Sequence, residues 1–131
     1  MATYLLDTSV IIDVLNRKRG RRALLQDLLQ QGHSLACCPI NVTEVYSGVR
    51  SEDEASAEKF LRSLDYYEIT WEIARDAGLL RRDWARKGIS LALPDVTLAA
   101  VALAHGLTLI TDNLKDYPMA ELRLYPLPRV N

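Results

Sequence analysis

Tyr4-Leu5-Leu6-Asp7-Thr8-Ser9-Val10-Ile11-Ile12-Asp13-Val14-Leu15 is the stretch whose reading decides the fold. A short run without a polar break ends in Asp7-Thr8-Ser9, after which Val10, Ile11, Val14 and Leu15 recur at the spacing of one helix face. The order is strand, polar turn, helix. A strand that is apolar at successive positions, rather than at alternate ones, is covered on both faces, as parallel strands joined by helices are.

The same alternation continues downstream. A second helix is predicted from near Gly20, with Leu24, Leu25, Leu28 and Leu29 on one face and Gly32 as its C-terminal cap. Ser34 to Cys38 reads as a second buried strand. After Pro39, Asn41-Val42-Thr43-Glu44 has the form of a capping box, with Asn41 as N-cap and Glu44 three positions on, opening a helix through Val45, Tyr46 and Val49. Ser51 and Glu54 repeat the device ahead of Ala57, Phe60, Leu61 and Leu64. Tyr67 to Ile69 is a third strand candidate, and Trp71 begins a helix whose Ile73, Ala77, Leu80 and Trp84 form an apolar stripe ending near Gly88. Pro94 suits the first turn of a helix that carries Leu98, Val101 and Ala102 to the cap Gly106. Leu107 to Ile110 is a further buried strand running into Thr111-Asp112-Asn113, and Arg123 to Tyr125 a last short one. Together these predict an α/β fold: a mainly parallel central sheet of about four or five strands, flanked by helices in three layers. No repeat or linker divides residues 1–131, which are expected to form a single domain.

Sixteen basic and seventeen acidic residues nearly cancel, so an anionic partner would have to be held locally rather than drawn in by net charge. Arg17, Lys18, Arg19, Arg21 and Arg22 form a basic stretch that could contact a nucleic-acid backbone, or equally be a solvated loop. Arg81, Arg82, Arg86 and Lys87 form a second basic surface, read chiefly as a solvated face. Cys37 and Cys38 are adjacent in a strand, where side chains point to opposite faces, so a disulfide between them is not expected and a reducing, cytoplasmic setting fits best. No signal-peptide pattern or membrane-length apolar run is present, so the protein is expected to be soluble, with no membrane partner.

In a parallel sheet the sites lie beyond the carboxyl ends of the strands, and four acids are predicted at that edge. Asp7 ends the first strand, Glu44 lies early in the helix after the second, Asp95 opens a late helix and Asp112 follows a late strand. Each alone has a structural explanation: Glu44 in a capping box, Asp95 at a helix N-terminus, Asp7 as an N-cap, Asp112 in a turn. Capping needs alone do not readily bring all four to one edge. Gathered carboxylates repel and raise one another's pKa unless a cation compensates, and oxygen ligands suit a hard divalent ion such as magnesium.

Other chemistries lack their residues. The six glycines form no phosphate-cradling loop, and there is no Gly-x-Ser-x-Gly elbow. Side-by-side cysteines do not make a closed zinc site, and His33 and His105, each beside a helix-ending glycine, read as helix-terminal cations. Trp71 and Trp84 read as core or interface residues rather than a base-stacking platform.

Leu5 to Asp13, Thr43-Glu44-Val45, Pro94-Asp95-Val96 and Leu109-Ile110-Thr111-Asp112-Asn113 together resemble a PIN domain, and chain length and organisation resemble the VapC toxins of toxin–antitoxin pairs. The resemblance implies a Mg²⁺- or Mn²⁺-dependent endoribonuclease that leaves 5′-phosphate and 3′-hydroxyl ends. It implies metal coordination by Asp7, Glu44 and Asp95, with Ser9 and Thr111 in support. Asp112 is placed first in the fourth acidic position, with Asn113 and Asp116 as the other choices. A second copy of the chain and a VapB-type antitoxin, whose C-terminal segment covers the acidic cleft, are the implied partners. Two other readings stand beside it: an inactive RNA- or protein-binding module, and a metal-dependent DNA nuclease.

Overall fold

The chain begins with β1 (Thr3–Leu6), α1 (Thr8–Leu15), α2 (Arg21–Gln30), β2 (Ser34–Cys37) and α3 (Pro39–Gly48). It continues through α4 (Glu54–Arg62), β3 (Asp65–Tyr66), α5 (Trp71–Arg86), α6 (Leu93–His105), β4 (Thr108–Thr111) and β5 (Arg123–Pro126). These are the elements of a computed structural model that describes residues 1–127. The strands form a five-stranded sheet in the order β3-β2-β1-β4-β5, and every pairing is parallel.

Side-chain alternation in the central strands explains the three layers. Leu5, Cys38 and Leu109 pack on one face with Ile73, Ala77, Val96 and Val101 of α5 and α6. Leu6, Cys37 and Ile110 pack on the other with Val10, Leu25 and Leu61 of α1, α2 and α4. The two thiols therefore belong to different cores and both are free. Burial pushes the Cys37 thiol up to about 11, which keeps it protonated and unreactive.

The chain leaves β1 in one direction across the sheet, through β2 to β3, and then resumes on the other side of β1 with β4 and β5. The order thus reverses between β1 and β4, and at such a point the loops leaving neighbouring strands diverge and open a crevice. Asp7 follows β1 directly and Asp112 follows β4, so both acids flank that crevice.

Several local expectations are corrected. The third strand is Asp65–Tyr66 rather than Tyr67 to Ile69; Tyr67 only donates its N–H to the Cys37 carbonyl, at 2.9 Å. α3 starts three residues earlier than the capping-box reading, with Cys38 as N-cap and Pro39 within its first turn. Asn41 lies inside that turn and its Oδ1 accepts the Cys38 N–H at 2.9 Å. Ser51 opens a short 3₁₀ turn, and α4 begins after Asp53 without a side-chain cap. His33 accepts the Ala2 N–H on Nδ1 at 3.1 Å, which ties it to the start of the chain. Trp71, read as a core or interface residue, is 71% exposed with Arg75 over its ring, so the core half of that reading does not hold for it.

Leu109 of β4 is fully buried among the α6 side chains. Leu109→Ala is expected to lower unfolding stability by about 2–5 kcal/mol, measured by urea denaturation, because a packed core cannot close the cavity.

Candidate active site

Asp7 occupies the N-cap position of α1, its backbone N–H bound to the Ile110 carbonyl of β4 at 2.9 Å and its carbonyl accepting from Val10. The side chain is only 8% exposed. Fully buried Thr111 donates its hydroxyl to Asp7 Oδ2 at 2.7 Å, while the Asn113 N–H enters the same hydroxyl oxygen at 3.0 Å. The Thr111 proton is thereby committed to Asp7. Burial raises the Asp7 pKa, the hydrogen bonds from Thr111, the Thr8 backbone and Tyr117 oppose that rise, and the charge of Asp112 adds to it.

Glu44 stands in the second turn of α3, one turn beyond the first-turn place where a capping box would have used it. Its Oε1 accepts the Thr8 hydroxyl at 2.7 Å. Asp95 lies in the first turn of α6, where the helix dipole favours its charged form. Burial wins all the same: with the charges of Asp7, Asp116 and Glu44 beside it, Asp95 is pushed up to about 6. Buried Tyr117 donates its hydroxyl to Asp95 Oδ1 at 3.3 Å and lies near Asp7 as well. The same burial and the same two negative charges raise the phenol's pKa, so it remains a neutral donor.

Asp112 differs from these three. It accepts the Ser9 hydroxyl at 3.3 Å on Oδ1, and its Oδ2 lies 3.7 Å from Nη2 of Arg21. Arg21, counted in the sequence among the basic contacts, is only 3% exposed and spans Asp112 and the buried Asp13. Arg19 pairs with Asp13 at 2.9 Å, Arg22 donates to the Val14 carbonyl, and Lys18 N–H binds the Asp13 carbonyl at 2.8 Å. The basic stretch is therefore a pinned turn. Arg17 and Lys18 remain exposed and, with Arg50, line a groove of about 580 Å³ between the ends of α1 and α3. On the second basic surface, Arg81 is tied to the Leu91 carbonyl, Arg82 to Asp83, and Lys87 lies over the Trp84 ring.

The structure thus brings Asp7, Glu44 and Asp95 to one end of the sheet, with Asp112 on the Asp7 side and Asp116 on the Asp95 side. Asn113 contributes its backbone, not its side chain, to the Thr111 bond. Among the described residues, no Lys or Arg nitrogen is within ion-pair distance of Asp7, Glu44 or Asp95. Among the same residues, no three His, Cys, Asp or Glu side chains are grouped closely enough to hold a metal ion between them. The donor set nevertheless fits a hard divalent cation of the magnesium kind, which is commonly held by one or two carboxylates and its own waters. Asn41, Thr8 and Tyr117 were not singled out from the sequence as site residues; an Asn between Ile40 and Val42, and a Tyr directly after Asp116, were the signals available.

A family profile described as PIN domain matches residues 4–118. The chain belongs to the PIN-domain family. Curated relatives of this PIN domain include Ribonuclease VapC10 of Mycobacterium tuberculosis, 30% identical over 117 residues that cover 89% of this chain and 87% of the relative. Ribonuclease VapC19 of the same organism is 29% identical over 115 residues, covering 88% of this chain and 92% of the relative. Among solved structures, a toxin–antitoxin complex from Klebsiella pneumoniae aligns with a TM-score of 0.75 at 28% identity, over 95% of this chain and 99% of that one. VapBC2 of Rickettsia felis, bound to a fragment of its promoter DNA, aligns with a TM-score of 0.83 at 22% identity, over 95% and 98% of the two chains; that likeness speaks for the fold.

A carboxyl group whose folded pKa is raised binds its proton more tightly in the folded than in the unfolded chain. For Asp95 the difference spans the window from the ordinary value near 3.8 up to about 6. Metal-free protein should therefore gain stability as pH falls through about 6, and lose it as pH rises through the same window. Thermal melts between pH 4 and 7 should show that slope flattened in Asp95→Asn, an effect of about that window's width.

Proposed function

We propose that this PIN domain is the toxin of a VapBC-type pair, an endoribonuclease that hydrolyses phosphodiester bonds in RNA with Mg²⁺ or Mn²⁺ drawn to Asp7, Glu44 and Asp95, one or two of them ligating an ion directly and the rest through its waters. The observation that carries the reading is the charge balance: these three acids crowd one crevice, and neutral hydroxyls rather than cationic side chains hold them. Hydroxyl donors orient a carboxylate without cancelling its charge, so the attraction for a cation survives. When bound, a divalent ion lowers the pKa of a water and offsets charge on the phosphodiester.

The chain's own residues do the rest. Thr111 and Thr8 fix Asp7 and Glu44, and Tyr117 fixes Asp95, at the positions where the ion and the phosphate would meet. Asp112, paired with Arg21 and Ser9, borders the crevice as the fourth acid, and Asp116 borders it beside Asp95. Arg17 and Lys18, exposed near the end of α1, are basic side chains that an RNA backbone could meet. A VapB-type antitoxin is the partner, in keeping with the toxin–antitoxin relatives, and its C-terminal segment would cover the acidic crevice. A second copy of the chain completes the assembly. Ile12 and Leu29, 40% and 52% exposed beside surface grooves, offer the apolar area such partners cover. Among the described residues, no helix is long and apolar enough to cross a membrane.

Purified protein incubated with RNA should generate new ends with Mg²⁺ or Mn²⁺ and none after EDTA. Asp7→Asn and Asp95→Asn should melt as cooperatively as wild type yet cut at least about a hundredfold more slowly. Unchanged cleavage by both variants would refute the site, and cleavage of single-stranded DNA alone would make the enzyme a DNase. Because protons and cations compete for Asp95, Mn²⁺ affinity should fall as pH drops below about 6.

A further inference from the structure

Glu44 is reached by a chain of hydrogen bonds whose direction is fixed at every step. Asn41 is completely buried, at 0% exposure, in the first turn of α3. The atom facing the Cys38 N–H at 2.9 Å has to be Oδ1, since a backbone N–H can only donate. That turns Nδ2 toward the Leu6 carbonyl and the Thr8 hydroxyl oxygen, both at 3.0 Å. The Leu6 carbonyl can only accept, so two independent partners agree on the amide's orientation. With Asn41 donating into Thr8 Oγ1, the single Thr8 proton is left for Glu44 Oε1, 2.7 Å away. Reversal at any step would set donor against donor or acceptor against acceptor.

We propose that Asn41 and Thr8 are positioning residues for the metal-dependent cleavage, acting on it only through Glu44. This rests on the reading of the crevice as an RNA-cleaving metal site. Among the described residues, Oε1 is the Glu44 oxygen that the protein engages, and the relay fixes it toward α1. The carboxylate then presents its other oxygen without a search over rotamers, which a side chain in the middle of a helix would otherwise make at entropic cost. The relay has a counterpart: the Asn113 N–H enters Thr111 Oγ1 at 3.0 Å, and Thr111 donates to Asp7 at 2.7 Å. In both, a threonine hydroxyl is spent by an upstream N–H so that its proton can go only to the acid. Asn41 also ties the end of β1 to the starts of α1 and α3, so its own substitution mixes folding with function. Thr8 carries the cleaner test.

Mn²⁺ binding by calorimetry, RNA cleavage, and melting of the metal-free protein should be measured for wild type, Thr8→Ser, Thr8→Val, Glu44→Gln and the Thr8→Val/Glu44→Gln double variant. Thr8→Ser keeps the hydroxyl and is expected to bind Mn²⁺ as wild type does. Thr8→Val is expected to bind about tenfold or more weakly, with a matching loss of cleavage. In the Glu44→Gln background, Thr8→Val should cost no further affinity, because the group it acts through is gone. Asn41→Asp, which offers Thr8 a competing acceptor, should lose affinity as Thr8→Val does wherever it folds. Folded Thr8→Val with wild-type Mn²⁺ affinity would overturn the proposal alone, as would losses that add in the double variant. Wild-type protein that binds no Mn²⁺ and leaves RNA intact would overturn the functional reading and the relay's purpose together.

Discussion

Everything at the acidic end of this molecule follows from one constraint: a carboxylate, Asp7, buried at the exit of the central strand. Removing a charge from water is costly unless hydrogen bonds replace the lost hydration. Thr111 supplies such a bond, and the Thr8 backbone and Tyr117 also favour the charged form, yet burial still outweighs them and the pKa stays raised. Glu44, Asp95 and Asp116 then add like charge to the same neighbourhood, with Asp95 carrying the visible consequence. The arrangement works against stability in the bare protein, which is the usual mark of a site kept for chemistry rather than for folding.

The choice of partner sorts the acids. Hydroxyls hold Asp7, Glu44 and Asp95, and a hydroxyl leaves the charge in place. Asp112 lies against Arg21, which is itself buried and shared with Asp13. That ion pair reduces the pull of Asp112 on a cation and ties the turn after α1 to the loop after β4. The Arg17 to Arg22 stretch thus combines two tasks, a buried brace at Arg21 and an exposed basic rim at Arg17 and Lys18.

Most of the architecture was legible because parallel strands buried on both faces leave a plain signature, as Leu5-Leu6 and Leu109-Ile110 do. Asp7, Glu44 and Asp95 could be placed at one edge because each sits at an element boundary or close after one, and topology carries those boundaries to the same side. What escaped was side-chain direction. Asn41 followed by Glu44 has the spacing of a capping box, but Pro39 can begin a helix, so α3 starts earlier and turns Asn41 into a buried brace. Arg21 reads as one of a run of cations, and only the tertiary position of Asp13 and Asp112 buries it. Two-residue β3 carries too little pattern to be located from its sequence.

Anomalous scattering from crystals soaked in Mn²⁺ addresses most directly whether these carboxylates share a cation. The prediction is a strong peak in the crevice between the ends of β1 and β4, within direct ligation distance of Asp7 or Asp95 and lost in crystals of Asp7→Asn. A peak elsewhere on the molecule with the crevice empty, or an unchanged peak in Asp7→Asn, would contradict it.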